Sequence, residues 1–202
     1  MLDGWQDPTV LITVEGIDGA GKTTLVSGLA AALGDVEVLR EPGGVELSER
    51  LRALVKDPAL AVDARAEALL YAAARAQLVA ERLRPLLADG RWVLLDRFVD
   101  SSLAYQGAGR GLGVEEIRAL NLFATGGLTP DRTLLLRIDP ARGLGRIAGR
   151  PADRLEREDG AFFATVAAAY DALAAAEPER FAVIDAAQPP EAVLAAALAQ
   201  LP

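Results

Sequence analysis

The sequence predicts an α/β fold with a five-stranded parallel sheet and helices on both of its faces. Short apolar stretches alternate with helical stretches along the chain, which is the pattern of a parallel sheet with crossover helices. The predicted strands are continuous apolar runs, as expected when both faces of a sheet are covered. No linker or internal repeat interrupts the 202 residues, so we expect a single domain.

The first predicted strand, residues 10–14, runs into a glycine-rich loop that fits the phosphate-binding pattern G-x-x-x-x-G-K-[ST]. The loop consists of Gly16, Ile17, Asp18, Gly19, Ala20, Gly21, Lys22 and Thr23, and Thr24 begins the helical run behind it. The strand before the loop and the helix after it disfavour the alternative of a glycine-rich turn that binds nothing. The pattern therefore predicts a P-loop NTPase fold with a bound nucleoside triphosphate.

The loop composition suits the chemistry of phosphate binding. Gly16 and Gly21 allow backbone angles that are closed to other residues, so successive N–H groups can curl around a phosphate. Lys22 would place a positive charge on the terminal phosphates, and the Thr23 hydroxyl could bind Mg²⁺. The positive end of the following helix dipole would favour the same anion.

Cap and turn signals divide the rest of the chain. We predict further strands over residues 36–39, 92–95, 133–138 and 181–184. We predict helices over residues 24–33, 46–55, 63–87, 114–124, 161–176 and 191–201. The first eight residues are expected to form a flexible extension. Residues 142–157 contain five arginines and three glycines, which predicts a lid that closes arginines over the phosphates rather than a solvated, charged helix end.

Four further stretches carry polar residues that could line a binding site. Arg40 and Glu41 follow the second strand, and Asp96 ends the third, where a carboxylate would lie near the metal and the phosphates. Residues 98–110 have few core residues and are interpreted as a polar pocket wall. Tyr71 and Arg75 are spaced i, i+4, which is more often a partly solvated stripe than a binding site.

Composition excludes several classes of function. The chain has no cysteine and no histidine, so thiol chemistry, disulfides and histidine acid–base catalysis are absent. A net charge of −8 argues against a nucleic-acid-binding surface. The apolar runs are too short to span a membrane, and the N-terminus lacks the features of a signal peptide, so we expect a cytoplasmic protein.

Several separated motifs resemble those of bacterial-type thymidylate kinases, in the P-loop nucleoside monophosphate kinase superfamily. The motifs are residues 15–24, 40–44, 71–75, 96–98, 101 and 104–107, the lid motif 153–156, and residues 184–189. The resemblance covers essentially the whole chain from Val10 to Leu201. It implies transfer of the γ-phosphate of ATP to dTMP with Mg²⁺, in a homodimer, with no nucleic-acid or membrane partner.

The resemblance also implies roles for individual residues. The implied substrate contacts are Arg40, Glu41, Tyr71, Arg75, Arg97, Ser101, Ser102, Tyr105 and Gln106. In the family, Tyr71 would stack on thymine, Arg75 and Gln106 would read the base, and Arg97 with Arg40 would hold the monophosphate. Ser102 would lie beside the base and Tyr105 by the sugar. Asp18 would lie near the acceptor and the metal, which Thr23 and Asp96 would also bind.

The resemblance places the catalytic arginines in the lid. Eukaryotic members carry an arginine in the phosphate loop, whereas this chain has Gly19 and Ala20 there and Arg146, Arg150 and Arg154 in the lid. Together with Lys22, Asp18 and Arg97, the expected catalytic groups are Arg150 as the first candidate and Arg146 as the second.

Three alternative functions stay open from the sequence. The first is a kinase for another nucleoside monophosphate or for a deoxynucleoside. The second is a nucleotide-dependent switch, which is disfavoured because the N-K-x-D motif of GTPases does not follow the late strand 181–184. The third is an inactive scaffold, which the intact Lys22, Thr23, Asp96 and Arg97 disfavour.

Overall fold

The computed structural model describes residues 9–149 and 151–201. The predicted extension over residues 1–8 and the candidate Arg150 lie outside the described residues. The strands are β1 (Leu11–Glu15), β2 (Glu37–Arg40), β3 (Val93–Asp96), β4 (Arg132–Arg137) and β5 (Phe181–Asp185). The five strand predictions are confirmed, with bounds that differ by no more than one residue at either end.

The five strands form one parallel sheet in the order β2-β3-β1-β4-β5. In the strand register, Asp96 of β3 lies beside Val14 of β1 on one side and beside Arg40 of β2 on the other. The carboxyl ends of these three strands are therefore level at one edge of the sheet. The phosphate loop and the two charged segments that follow β2 and β3 meet at this edge, as open α/β sheets require of their ligand-binding loops.

Helices cover both faces of the sheet. They are α1 (Lys22–Leu33), α2 (Glu46–Lys56), α3 (Ala64–Leu78), α4 (Arg84–Ala88), α5 (Val99–Ser102), α6 (Val114–Thr125), α7 (Pro140–Ile147), α8 (Gly160–Ala176) and α9 (Pro190–Leu198). Alternate residues of β1 enter different cores: Ile12 and Val14 pack in one apolar cluster with Phe163, and Leu11 packs in a second cluster with Leu78. In the described ranges, no helix is long and apolar enough to cross a membrane.

The prediction of one continuous helix over residues 63–87 is wrong in one respect. Asp63 caps its start as expected, because its carboxylate accepts a hydrogen bond from the Arg65 N–H at 2.9 Å. A π-helical segment, Val79–Leu83, then separates α3 from α4. Pro85 has no N–H to donate to the preceding turn, which explains why the regular ladder does not continue there.

The interpretation of residues 98–110 as a polar wall with few core residues is also incomplete. The segment forms α5 and a second π-helical segment, Leu103–Gly109. Phe98, Leu103 and Ala104 are fully buried in the core. A helix presents side chains in all directions, so one side of this segment packs on the sheet while the other lines the cleft described below.

Candidate active site

A cleft of about 500 Å³ opens at the carboxyl ends of β1, β2 and β3. The predicted site residues that line it are Asp18, Gly19, Gly21, Lys22, Thr23, Thr24, Arg40, Glu41, Tyr71, Arg75, Asp96, Arg97, Ser101, Ser102, Tyr105, Gln106 and Arg146. Gly16, Ile17 and Ala20 complete the phosphate loop outside this lining. The structure therefore brings together residues that lie far apart in the sequence.

Lys22 is held at the centre of the phosphate loop. Its ammonium donates hydrogen bonds to the carbonyl oxygens of Gly16 at 3.0 Å and Ile17 at 2.8 Å. Burial, reinforced by the charge of Arg97, lowers the pKa of Lys22 to about 8, while Asp18 and nearby carboxylates oppose the shift. Gly21 precedes Lys22 with φ 97°, a left-handed conformation that suits glycine and turns the chain into α1.

Thr23 and Asp96 face each other beside the loop, where the Thr23 hydroxyl donates to Asp96 Oδ2 at 3.3 Å. Mg²⁺ usually takes only one or two protein oxygens and completes its shell with water and phosphate oxygens. The pair therefore fits a Mg²⁺ ion that also contacts a bound triphosphate. The described ranges contain no cluster of three or more acidic, His or Cys side chains that could hold a metal alone.

Arg97 lies between the phosphate loop and the rest of the cleft. Its backbone has φ 71°, in the left-handed region that non-glycine residues rarely adopt. Its guanidinium donates to the Gly16 carbonyl at 3.1 Å, to Ser101 Oγ at 3.0 Å and to Asp18 Oδ1 at 2.7 Å. The Tyr105 hydroxyl donates to the other oxygen of Asp18 at 3.0 Å.

These contacts keep Asp18 ionised. Burial would raise the pKa of Asp18, but the charges of Arg97 and Lys22 outweigh burial and lower it to about 2. Both carboxylate oxygens are engaged by Arg97 and Tyr105, not by the Thr23–Asp96 pair. The role of Asp18 as a metal ligand stays a prediction.

Glu15, the last residue of β1, was not among the predicted site residues. It is linked to Arg97 through Ser101, whose hydroxyl contacts both side chains. It is fully buried, and its carboxylate accepts hydrogen bonds from the Phe98 N–H at 2.7 Å, the Ser101 hydroxyl at 2.6 Å and the Tyr170 hydroxyl at 2.8 Å. Burial and the neighbouring charge of Asp100 raise the pKa of Glu15. A charged residue at the end of an otherwise apolar strand was the available sequence signal.

Tyr71 and Arg75 on α3 both line the cleft, and the interpretation of this pair as a solvated stripe is wrong. Arg75 is only 2% exposed, and Tyr71 is half-buried, with its pKa raised by burial. Their i, i+4 spacing puts both side chains on one side of the helix, as the sequence predicts. That side faces the cleft because α3 packs against α2 and α6.

The Arg75 guanidinium is fully engaged inside the protein. Nε donates to Glu41 at 2.7 Å, and Nη1 donates to Ser102 Oγ at 2.9 Å and to Asn121 Oδ1. Nη2 donates to the Phe98 carbonyl at 2.9 Å and lies 2.7 Å from Glu41 Oε2. Arg75 therefore ties α3 to the strand ends and to α5, and its predicted contact with the base stays a prediction.

Two basic residues of α2, Arg52 and Lys56, line the cleft although they were not predicted to. The Arg52 guanidinium donates to the Pro42 carbonyl at 2.7 Å, and the Lys56 ammonium lies 2.7 Å from Asp153. Arg40 donates to the same Pro42 carbonyl at 3.1 Å. The available sequence signals were the i, i+4 spacing of Arg52 and Lys56 and the rarity of lysine among the 21 basic residues.

The first half of the predicted lid is the helix α7, which rests on the phosphate loop. A Cβ atom on Gly19 would lie 1.9 Å from the Gly143 carbonyl oxygen, so no side chain fits at position 19 in this arrangement. This close approach explains why the loop has no arginine there. Arg146 of α7 donates to the Gly19 carbonyl at 3.4 Å and to the Ala186 carbonyl at 2.9 Å.

Arg154 behaves differently from the prediction for the lid arginines. It does not line the cleft; its Nη2 atom lies 2.6 Å from the buried carboxylate of Glu67, and its Nε donates to the Val55 carbonyl at 3.0 Å. The end of the predicted lid is therefore packed on α3 and α2. Among the described lid residues, Arg146 is the arginine that reaches the phosphate loop.

Comparisons with known proteins identify the family of the chain. The family model described as thymidylate kinase matches residues 14–197. The chain is 52% identical over 186 residues to the thymidylate kinase of Deinococcus radiodurans, covering 89% of this chain and 90% of that protein. It is 48% identical over 196 residues to the thymidylate kinase of Lactobacillus delbrueckii subsp. bulgaricus, covering 93% of this chain and 92% of that protein. The crystal structure of thymidylate kinase from Ehrlichia chaffeensis superposes with a TM-score of 0.78 at 30% identity, covering 96% of this chain and 98% of that one. The chain belongs to the thymidylate kinase family.

Proposed function

We propose that this protein transfers the γ-phosphate of ATP to dTMP, giving dTDP and ADP. The observation that carries the proposal is a single cleft with a phosphate loop at one end and a partly buried pocket of aromatic and polar side chains at the other. Arg97 lies between the two ends, where two phosphate groups would meet. The membership of the chain in the thymidylate kinase family supports dTMP as the acceptor.

ATP would bind through the phosphate loop, residues 16–24. The loop N–H groups and Lys22 would hold the terminal phosphates, and Thr23 and Asp96 would hold Mg²⁺, with Asp18 as a further candidate. Mg²⁺ in such sites neutralises charge on the phosphates and orients them. Binding would require Lys22 to exchange the loop carbonyls that it now contacts for phosphate oxygens.

The monophosphate would bind at the opposite end of the cleft. Tyr71 would stack on the base, and Gln106 and Ser102 would contact its edge. Arg75 would join them by exchanging its present contact with Ser102 for the base. Tyr105 would lie by the sugar, where its hydroxyl already contacts Asp18. The phosphate contacts would come from Arg97 and Arg40, and the remaining predicted contacts are Glu41 and Ser101. Ser101 contacts Arg97 and Glu15, which favours a role in orienting Arg97.

The reaction needs no histidine. An oxygen of the dTMP phosphate forms a bond to the γ-phosphorus as the bond from that phosphorus to the bridging oxygen of ADP breaks. The attacking oxygen is already an anion, so a strong general base is unnecessary. Positive charge from Lys22, Arg97 and a lid arginine would offset the repulsion between the two nucleotides and stabilise the transferring group.

The proposal is tested by measuring ADP release with dTMP, dUMP, dCMP and thymidine as acceptors. We expect the highest kcat/KM with dTMP, because the pocket would stack the base and hold a monophosphate. The highest value with thymidine would indicate a nucleoside kinase, and the highest value with dCMP would indicate a different monophosphate kinase. ADP release that does not depend on any acceptor would contradict the kinase assignment.

We also propose that the partners are these small molecules and a second copy of the chain, and that the reaction takes place in the cytoplasm. The net charge of −8 disfavours a nucleic-acid partner. Recovery of the dTMP kinase activity in the membrane fraction of lysed cells would contradict this location.

The dimer proposal rests on exposed apolar side chains of two neighbouring helices. Leu69 of α3 and Leu122 and Phe123 of α6 are 57%, 63% and 89% exposed. Apolar surface of this kind often marks a protein–protein interface. The two helices pack against each other, so their outer sides could form one self-complementary surface.

We expect Phe123→Glu to convert the dimer to a monomer, because it would place a charge in the proposed apolar interface. The measurement is the molar mass by light scattering after size-exclusion chromatography. The matched control is Leu198→Glu on α9, also an exposed apolar residue, which should leave the mass unchanged. A monomeric wild-type protein would contradict the proposal.

A further inference from the structure

The carboxylate of Glu67 is buried immediately behind the base end of the cleft. Glu67 lies on α3, four residues before Tyr71, and has no exposed surface. A buried charge is unfavourable unless it is paired and hydrogen-bonded, so its partners indicate what it does. Neither the phosphate loop nor the Thr23–Asp96 pair is among the partners of Glu67.

Three donor side chains surround this carboxylate. The Gln106 amide nitrogen donates to Glu67 Oε1 at 2.8 Å. Arg110 donates through Nε to Oε1 at 3.3 Å and through Nη2 to Oε2 at 3.1 Å. The Nη2 atom of Arg154 lies 2.6 Å from Oε2. Two arginines therefore balance the charge of Glu67, and Gln106 is the neutral member of the cluster.

The carboxylate determines which way the Gln106 amide faces. A side-chain amide has a donor end and an acceptor end of nearly the same size, and it can usually rotate to exchange them. A carboxylate paired with guanidinium groups accepts hydrogen bonds and has none to donate. The NH₂ end of Gln106 must therefore face Glu67, and the carbonyl oxygen is the end that remains for the cleft, which Gln106 lines.

We propose that Glu67 is a positioning residue that sets the base selectivity of this kinase through Gln106. A carbonyl oxygen that faces the cleft accepts a hydrogen bond from a base whose pairing edge carries a ring N–H, as thymine and uracil do at N3. Cytosine has a lone pair at N3, so two acceptors would face each other. This inference rests on the proposed function, in which Gln106 contacts the base.

Further contacts hold Arg110 and Arg154, the two arginines that pair with Glu67. Arg110 also donates to Glu158 at 2.7 Å, and its guanidinium lies 5.0 Å from the centre of the Phe162 ring. Arg154 is fixed by the Val55 carbonyl. Glu67, on α3, is thus held by Arg110 from the segment before α6 and by Arg154 from the end of the predicted lid. A carboxylate held in this way leaves the Gln106 amide a single orientation.

The test is Glu67→Gln, which keeps the shape of the side chain but can turn either its oxygen or its NH₂ toward Gln106. Gln106 can then present its NH₂ to the cleft. We expect the ratio of kcat/KM for dTMP to kcat/KM for dCMP to fall at least about tenfold, because the penalty on an acceptor at N3 is relieved. The KM for dTMP should rise more than kcat falls, and dUMP should follow dTMP because it has the same N3–H.

The matched control is Arg110→Lys, which disturbs the same buried cluster but leaves a carboxylate facing Gln106. We expect it to lower the thermal stability without changing the dTMP-to-dCMP ratio. If Glu67 were merely structural, Glu67→Gln would lower kcat/KM for all monophosphates in proportion. An unchanged ratio in a folded Glu67→Gln protein would overturn the proposal.

A second variant covers the case in which Glu67→Gln does not fold, as judged by thermal unfolding. Glu67→Asp keeps the charge for both arginines but withdraws the carboxylate from Gln106. We expect the same fall in the dTMP-to-dCMP ratio for this variant.

The same measurements distinguish a failure of the proposed function from a failure of the role of Glu67. A wild-type enzyme that does not phosphorylate dTMP would contradict the function, whereas a dTMP-selective wild type with unaltered selectivity in both variants would contradict only the role of Glu67.

Discussion

Lys22→Ala is expected to lower kcat by several hundredfold while the protein stays folded. Loss of one well-placed charge at a developing phosphoryl transition state corresponds to about 3–4 kcal/mol. Lys22 lies in the phosphate loop rather than in an apolar cluster, and its ammonium donates to the backbone carbonyls of Gly16 and Ile17. Its removal should therefore affect the transferring phosphate more than the core.

The measurement is steady-state kcat and KM for ATP and dTMP, with far-UV circular dichroism to verify the fold. The matched control is Lys56→Ala, which removes the other lysine of the chain from the opposite wall of the same cleft. We expect a much smaller loss of kcat in the control, because Lys56 pairs with Asp153 and not with the loop. Retention of more than about a tenth of wild-type turnover by Lys22→Ala would contradict its assignment.

The second large effect is expected in the lid. Arg150→Ala should lower kcat by about a hundredfold or more, on the scale of a missing arginine finger. An arginine that reaches the transferring phosphate only when both nucleotides are bound would act chiefly in the transition state. The KM for dTMP should therefore stay within roughly threefold of the wild-type value.

Arg146→Ala is the comparison that distinguishes the two lid candidates. Arg146 already contacts the Gly19 and Ala186 carbonyls in the structure, so its contribution would be present before the transition state is reached. We expect a smaller loss of kcat and a larger rise in the KM for ATP than for Arg150→Ala. Near-normal kcat values in both variants would show that the lid does not supply the positive charge, which would then come from Lys22, Mg²⁺ and Arg97.

Features that depend on contiguous residues could be predicted from the sequence. The five strands, the phosphate loop and the Asp63 cap are specified by local hydrophobic patterns, glycine positions and hydrogen bonds over a few residues. Because parallel strands end at one edge of their sheet, the same patterns predict that Lys22, Asp96 and Arg97 meet. The resemblance to a family added Tyr71 and Gln106, which local physics would not have distinguished.

The side-chain partners could not be predicted, because they join residues far apart in the chain. Spacing alone puts Arg75 in a partly solvated stripe, and only the packing of α3 buries it against Glu41. The composition of residues 142–157 assigns Arg154 to a lid, but its side chain pairs with Glu67, on a helix that begins many residues earlier. A charged side chain takes its partner from whatever the tertiary packing brings within about 3 Å, and periodicity carries no information on that distance. The sequence by itself therefore determined the sheet, the phosphate loop and the edge at which the site forms, whereas the tertiary structure alone decided which charges are buried, paired or free to meet a substrate.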